Sequence, residues 1–179
     1  MAAGGPGRIG GLAMTITTRT VEANGFRFAV DEAGEGDHLA LCLHGFPESR
    51  FSWRHQLPLL AEMGYRAWAP DLRGYGDSTG PDPADTAQYT FRAMAQDQVD
   101  VMQALGFERF LLCGHDRGAR VAHRLCLDHP KRVEKAVFLD IAPTLDMYEH
   151  TSMEFARAYW HWFFLIQPAP FPETLIGHD

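Results

Sequence analysis

Very little in this sequence would tie it to a membrane, a nucleic acid or a metal. No apolar run reaches the about 18 residues that a membrane-spanning helix needs. Basic residues are in the minority: 16 Lys and Arg against 23 Asp and Glu give a net charge of −7. That balance argues against nucleic acid and anionic bilayers as partners. Any site for a negative ligand must therefore build its own local positive field. Cysteine is scarce, with three among 179 residues. Cys42, Cys113 and Cys126 fall in apolar strand or helix patterns without metal or redox spacing, so reduced core residues and a cytoplasmic setting are expected. The nine His residues show no spacing such as H-E-x-x-H, and no metal is expected. Gly74-Tyr75-Gly76 lacks the strand–helix context and third Gly of a dinucleotide loop, so no cofactor is expected either. Residues 1–14, rich in Gly and Ala, hold no apolar stretch long enough for a signal peptide and are expected to be a disordered tail.

What is present is 46% hydrophobic and 22% charged, ordinary for a globular domain with a core of useful size. Ile16–Glu22 and Phe26–Asp31 alternate apolar and polar residues around Asn24-Gly25, a hairpin signal. Leu39–Leu43 reads as a central strand, and Phe51–Met63 as a helix that Pro58 kinks or splits and Gly64 ends. Tyr65–Ala69 is the next strand. A helix from Thr90 to Leu105 precedes the C-cap Gly106, and Ala136–Leu139 is a later strand ending at Asp140. Strands alternating with helices after an opening hairpin describe an α/β sheet, mostly parallel, with helices on both faces. From Thr151-Ser152-Met153-Glu154, a capping-box pattern, one helix to Ile166 is expected. It is aromatic on most faces and so is expected to be buried all round. The expected organisation is a tail over 1–14, an α/β core over 15–143 and the start of a helical cap over 144–179. A sheet with this start should gain more strands, so its last strands are expected to be absent from this chain.

Between the apolar run Phe110–Cys113 and a helix expected over Ala119–Leu127 lies Gly114-His115-Asp116-Arg117-Gly118. Strand, G-x-D-x-G corner and helix have the layout of a nucleophile elbow, with the middle side chain raised above the sheet on a tight turn. The middle residue is Asp116. A carboxylate there attacks carbon and leaves an ester. An ordinary βα turn with an Asp N-cap is the plain alternative. In open α/β sheets ligands bind beyond the carboxyl ends of the strands. His44-Gly45-Phe46, the Asp71–Ser78 loop, Asp116 and Asp140 all fall there.

HGFPES at 44–49, DLRGYGDS at 71–78 and GHDRG at 114–118 together resemble the α/β-hydrolase fold, in its branch of epoxide hydrolases and dehalogenases with an Asp nucleophile. HDRGAR at 115–120, DHP at 128–130 and YWHWFFLIQPAP at 159–170 are most similar to the fluoroacetate (haloacetate) dehalogenases. The resemblance implies Asp116 as nucleophile and Asp140 as the acid that orients a catalytic His. It implies backbone N–H groups of Phe46 and Arg117 as oxyanion donors and His161 with Trp162 as the halide site. Arg117 stands where epoxide hydrolases generally carry Trp. With Arg120, three residues on and on the same side of the helix's first turn, it makes a candidate site for a substrate carboxylate. The plain alternative is a solvated stripe of Arg117, Arg120 and Arg124. The family's late catalytic His finds no match: His150 and His161 are placed otherwise and His178 lies in the wrong context. The Tyr that completes the family's halide site is not found either. These gaps lead to the expectation of a C-terminally truncated chain. The expected function is a hydrolytic dehalogenase of short 2-haloacids. An epoxide hydrolase and a catalytically silent paralogue or fragment are the alternatives. The expected partner is a small haloacid, with a homodimer left open.

Overall fold

The computed structural model describes residues 15–177. The tail expected over 1–14 and His178 lie outside the described residues.

β1 (Thr17–Ala23) and β2 (Phe26–Ala33) pair antiparallel as the expected hairpin. Asn24 and Gly25 at its tip have φ of 50° and 78°, the two positive angles that a tight twisted hairpin turn requires. β3 (His38–Leu43), β4 (Tyr65–Pro70), β5 (Phe110–His115) and β6 (Val133–Leu139) complete the sheet in the order β1-β2-β4-β3-β5-β6. The pairs β3/β4, β3/β5 and β5/β6 are parallel, and β2/β4 is antiparallel. The sheet is mostly parallel, as expected.

Alternation along the central strands divides the core in two. Leu39, Leu41 and Leu43 of β3 join Trp68 and Phe28 in one buried cluster with Met94, Val99 and Met102 of α2 (Phe91–Ala104) and Val121 and Leu125 of α3 (Arg117–Asp128). Cys42 faces the other way and packs with Trp53 and with Leu57 and Ala61 of α1 (Gln56–Glu62). Helices therefore cover both faces. A strand buried on both sides needs an unbroken apolar run, which is what LALCL supplies.

The helical stretch expected over 51–63, with a kink or split at Pro58, is two pieces: a 3-10 turn, Arg50–Trp53, and then α1. The break falls ahead of Pro58, which thereby sits in the first turn of α1, where its missing N–H leaves no bond unmade. α2 starts as expected, with Thr90 Oγ1 accepting from Ala93 N–H at 3.2 Å.

A second compact unit begins at Ala142. It contains α4 (Thr144–Glu149), α5 (Met153–Ala158), α6 (Trp160–Leu165) and α7 (Phe171–Ile176). The expected single, fully buried helix to Ile166 is corrected here. Tyr159, with φ −111° and ψ 36°, interrupts it, and neither α5 nor α6 contains a buried residue. The aromatics instead pack on one another: Phe155 stacks on Tyr159 at 4.8 Å, and Trp162 meets Tyr148, Phe155 and Tyr159 at about 6 Å.

Candidate active site

Asp116 joins β5 to α3 with φ 46° and ψ −115°, a conformation that costs a non-glycine residue energy and persists only where the surroundings enforce it. They do so here. Its N–H donates to the Leu139 carbonyl at 3.1 Å, and its own carbonyl accepts from Ala119 and Arg120 N–H at 3.0 and 3.2 Å. The flanking glycines are required by close approach. A Cβ on Gly114 would lie 2.6 Å from Ala119 Cα, and one on Gly118 would lie 2.3 Å from the Leu43 carbonyl oxygen. The G-x-D-x-G spacing is thus a tight strand–turn–helix corner, beyond an ordinary βα turn.

The loop after β3 comes to this corner. Phe46 N–H donates to Asp116 Oδ1 at 3.1 Å, and a Cβ on Gly45 would approach Asp116 Cβ to 2.9 Å. Gly45 N–H in turn donates to Glu48 Oε2 at 3.0 Å. Buried His44 ties this loop to the next one. Its Nε2 accepts from Leu72 N–H at 3.0 Å, so Nδ1 carries the proton and donates to the Gly45 carbonyl at 2.8 Å. Burial lowers the His44 pKa against the smaller opposing pull of the Gly45 carbonyl, Asp71 and Glu48, and keeps the ring neutral.

The 71–78 loop is held by charge. Asp71 is fully buried and accepts from Arg50 N–H at 2.7 Å and Asp77 N–H at 2.9 Å. The Arg50 guanidinium pairs with Asp71 and reaches Asp31 at 3.0 Å and Asp77 at 2.7 Å. Partial burial opposes the charge on Arg50, but Asp77, Asp71 and Asp31 together hold its pKa above the ordinary value. This frame presents Tyr75, whose ring meets His44 edge-on at 5.2 Å and Phe46 at 6.5 Å. Burial raises the Tyr75 pKa, with Arg117 opposing and Asp116 adding to it.

Arg117 and Arg120 lie half-buried on the first turn of α3, with their guanidinium carbons 5.4 and 5.9 Å from the centre of the Phe91 ring. Arg117 Nε is buried with no hydrogen-bond partner among the described residues. Arg124, the third member of the sequence stripe, is bound elsewhere. Its Nε reaches Asp128 at 2.7 Å, a carboxylate shared with Arg92 at 3.1 Å. Asp140 follows Leu139 at the end of β6, exposed, with φ 53°. His115 and Leu139 are in register across β5 and β6, so the two acids occupy neighbouring strand ends.

Two participants escaped the sequence reading. Tyr75 stands between Gly74 and Gly76, both of positive φ, and that glycine bracket was its only signal. Glu48 Oε2 also meets His115 Nδ1 at 3.2 Å. Burial pushes the Glu48 pKa up, but the Gly45 N–H and His115 outweigh it and leave the pKa lowered. Glu48, His115, Ser52, Trp53, Gln56 and Leu139 line a cavity of about 250 Å³. Among the described residues no cluster of His, Cys, Asp and Glu could hold a metal.

His161 and Trp162 belong to the second unit. His161 is exposed, 6.1 Å from Tyr159, and Trp162 is half-buried among rings.

Residues 41–179 match the family described as the alpha/beta hydrolase fold. The chain belongs to that family. Among curated members of this alpha/beta hydrolase fold family, a fluoroacetate dehalogenase of Burkholderia sp is 54% identical over 147 residues, 82% of this chain and 48% of that protein. Epoxide hydrolase 3 of Siraitia grosvenorii is 44% identical over 122 residues, 68% of this chain and 38% of that one. A solved structure from Nostoc sp PCC 7120 superposes with a TM-score of 0.86 at 52% identity, over 92% of this chain and 56% of that one. The chain spans about half the length of the hydrolases it matches.

Proposed function

We propose that this alpha/beta hydrolase is a hydrolytic dehalogenase of short 2-haloacids working through an ester on Asp116. The observation that carries the reading is the corner itself. One carboxylate oxygen of Asp116 is engaged by the Phe46 N–H, while two guanidiniums stand on the adjoining helix turn against Phe91. A 2-haloacid is an anion, and an Asp nucleophile would repel it unless a local positive field offset the repulsion. Arg117 and Arg120 supply that field, and paired N–H donors suit a carboxylate.

In the first step the second oxygen of Asp116, Oδ2, attacks the carbon alpha to the substrate carboxylate. The C–O bond forms as the C–halogen bond breaks, and the halide departs with the bonding pair. Donors that take up its charge lower the barrier, and His161 and Trp162 are the proposed pair. In the second step water adds to the ester carbonyl. The charge then develops on Oδ1, already 3.1 Å from the Phe46 N–H and within the reach of an oxyanion donor. The Arg117 N–H, in the first turn of α3 and so without an intrahelical acceptor, is the proposed second donor. Collapse releases the 2-hydroxyacid and restores Asp116. Asp140 is the proposed orienting acid for the base that removes the water's proton.

A second reading, epoxide hydrolysis, is favoured by the epoxide hydrolase relatives alone. Incubation with bromoacetate and fluoroacetate, with halide assay and peptide mapping, separates the two. Ester formation needs no base, so a mass increase on the Asp116 peptide with stoichiometric halide is the expected minimum. Reaction with neutral epoxides and none with haloacetates would replace the proposal with the second reading. An adduct confined to Cys42, Cys113 or Cys126 would remove Asp116 as nucleophile.

A further inference from the structure

Cys42 and Cys113 play no part in this chemistry, yet they are paired in register across the parallel strands β3 and β5. In-register neighbours on adjacent strands point to the same face and sit about 4.7–4.9 Å apart. Both thiols are free, and both line one apolar groove of about 450 Å³ with Leu59, Leu60 and Val137. Cys42 is fully buried at its floor and Cys113 is half-buried. Lys135 is the one charged residue in the lining.

We propose that Cys42 and Cys113 form a two-thiol site for a thiophilic divalent cation held in linear coordination. Spacing selects that mode. A disulfide needs Cβ atoms about 3.8 Å apart, closer than side chains standing parallel on neighbouring strands. A linear S–metal–S unit spans roughly 4.6 Å if each bond is near the ~2.3 Å of a zinc thiolate, which matches the strand spacing. Charge selects the ion. A divalent soft cation with two thiolates is neutral and suits an apolar groove, whereas a monovalent one would leave a net negative charge there. Binding forms two S–metal bonds and releases two protons to solvent, with no change of oxidation state. Because binding displaces two thiol protons, it strengthens as pH rises. Cys113 captures the ion first, from the groove side, and Cys42 closes the chelate.

Titration of the folded 179-residue chain with mercuric chloride in the presence of a monothiol competitor tests this. The expected result is one Hg(II) per chain retained against the competitor and, in a separate pH-stat titration without competitor, two protons released for the first Hg(II) bound per chain. Cys42→Ser, Cys113→Ser and Cys113→Ala should each weaken retention by about 100-fold or more, the loss of a second linked ligand. Cys126→Ser should leave it unchanged. Cys42→Ser should keep the fast capture phase and Cys113→Ala should lose it. Release of a single proton by the native chain, equal retention by Cys113→Ala, or a comparable loss in Cys126→Ser would each overturn the proposal. The proton count is made on the native chain and stands even if a serine variant fails to fold.

Discussion

Arg120 has the same residue type and helical spacing as Arg124 but a different environment. Arg124 is bound to Asp128 on its own helix, while Arg120 lies against Phe91 beside Arg117. Under the proposed function it is Arg120, beside Arg117 and the Asp116 corner, that meets the substrate carboxylate. Arg120→Leu is therefore expected to raise KM for a haloacetate about tenfold or more, the loss of a charge-assisted pair of roughly 1.5–3 kcal/mol. A neutral halide of similar size should be much less affected. Steady-state or single-turnover halide release on both substrates makes the comparison, and equal effects would return Arg120 to a solvated stripe. Asp116 teaches the complementary lesson. Its place on a tight corner was legible because Gly114 and Gly118 flank it at the spacing that close approach requires. The Phe46 N–H on its Oδ1 joins residues 70 positions apart, and no local pattern encodes that bond.

The loops, more than the helices, carry the site, and each is held by one buried polar group. For the 71–78 loop that group is Asp71, fully buried and dependent on Arg50 for a counter-charge. Arg50→Met keeps the length of the side chain and removes the charge. It should leave an uncompensated buried carboxylate and cost about 3–5 kcal/mol of stability, read as a shift in the urea midpoint. Asp71→Asn paired with Arg50→Met should recover part of the loss, because the desolvated charge is then gone. A pair of single-variant losses that simply add would mean that the two side chains act independently. Arg50 drew no notice in the sequence, where it is one exposed-looking residue after a loop. Its partners Asp31 and Asp77 come from β2 and the far end of the 71–78 loop.

At the level of the molecule, β6 is the edge strand of the sheet among the described residues, with one backbone edge unpaired there. Val137, Phe138 and Leu139 on it are 51%, 42% and 41% exposed. Apolar residues on an open edge are a template for pairing with another chain. The 179-residue chain is expected to self-associate with rising concentration in analytical ultracentrifugation. Val137→Lys should reduce that association without changing the far-UV spectrum, and an unchanged association constant would exclude this edge. The same strand divides what was legible from what was not. Hairpin, strand–helix alternation and elbow were readable because each depends on residues close in sequence: Asn24-Gly25, LALCL, G-x-D-x-G. The aromatic stretch 155–164 was misread as a buried helix, because burial depends on what packs against a residue, and that is set far away in the chain. Local periodicity and turn chemistry determine the elements and place a carboxylate at the strand–turn–helix corner. Only the folded sheet decides which N–H meets it, which arginines gather against Phe91 and which two cysteines become neighbours. Those contacts join distant residues, and their energies appear only once the strands are in register.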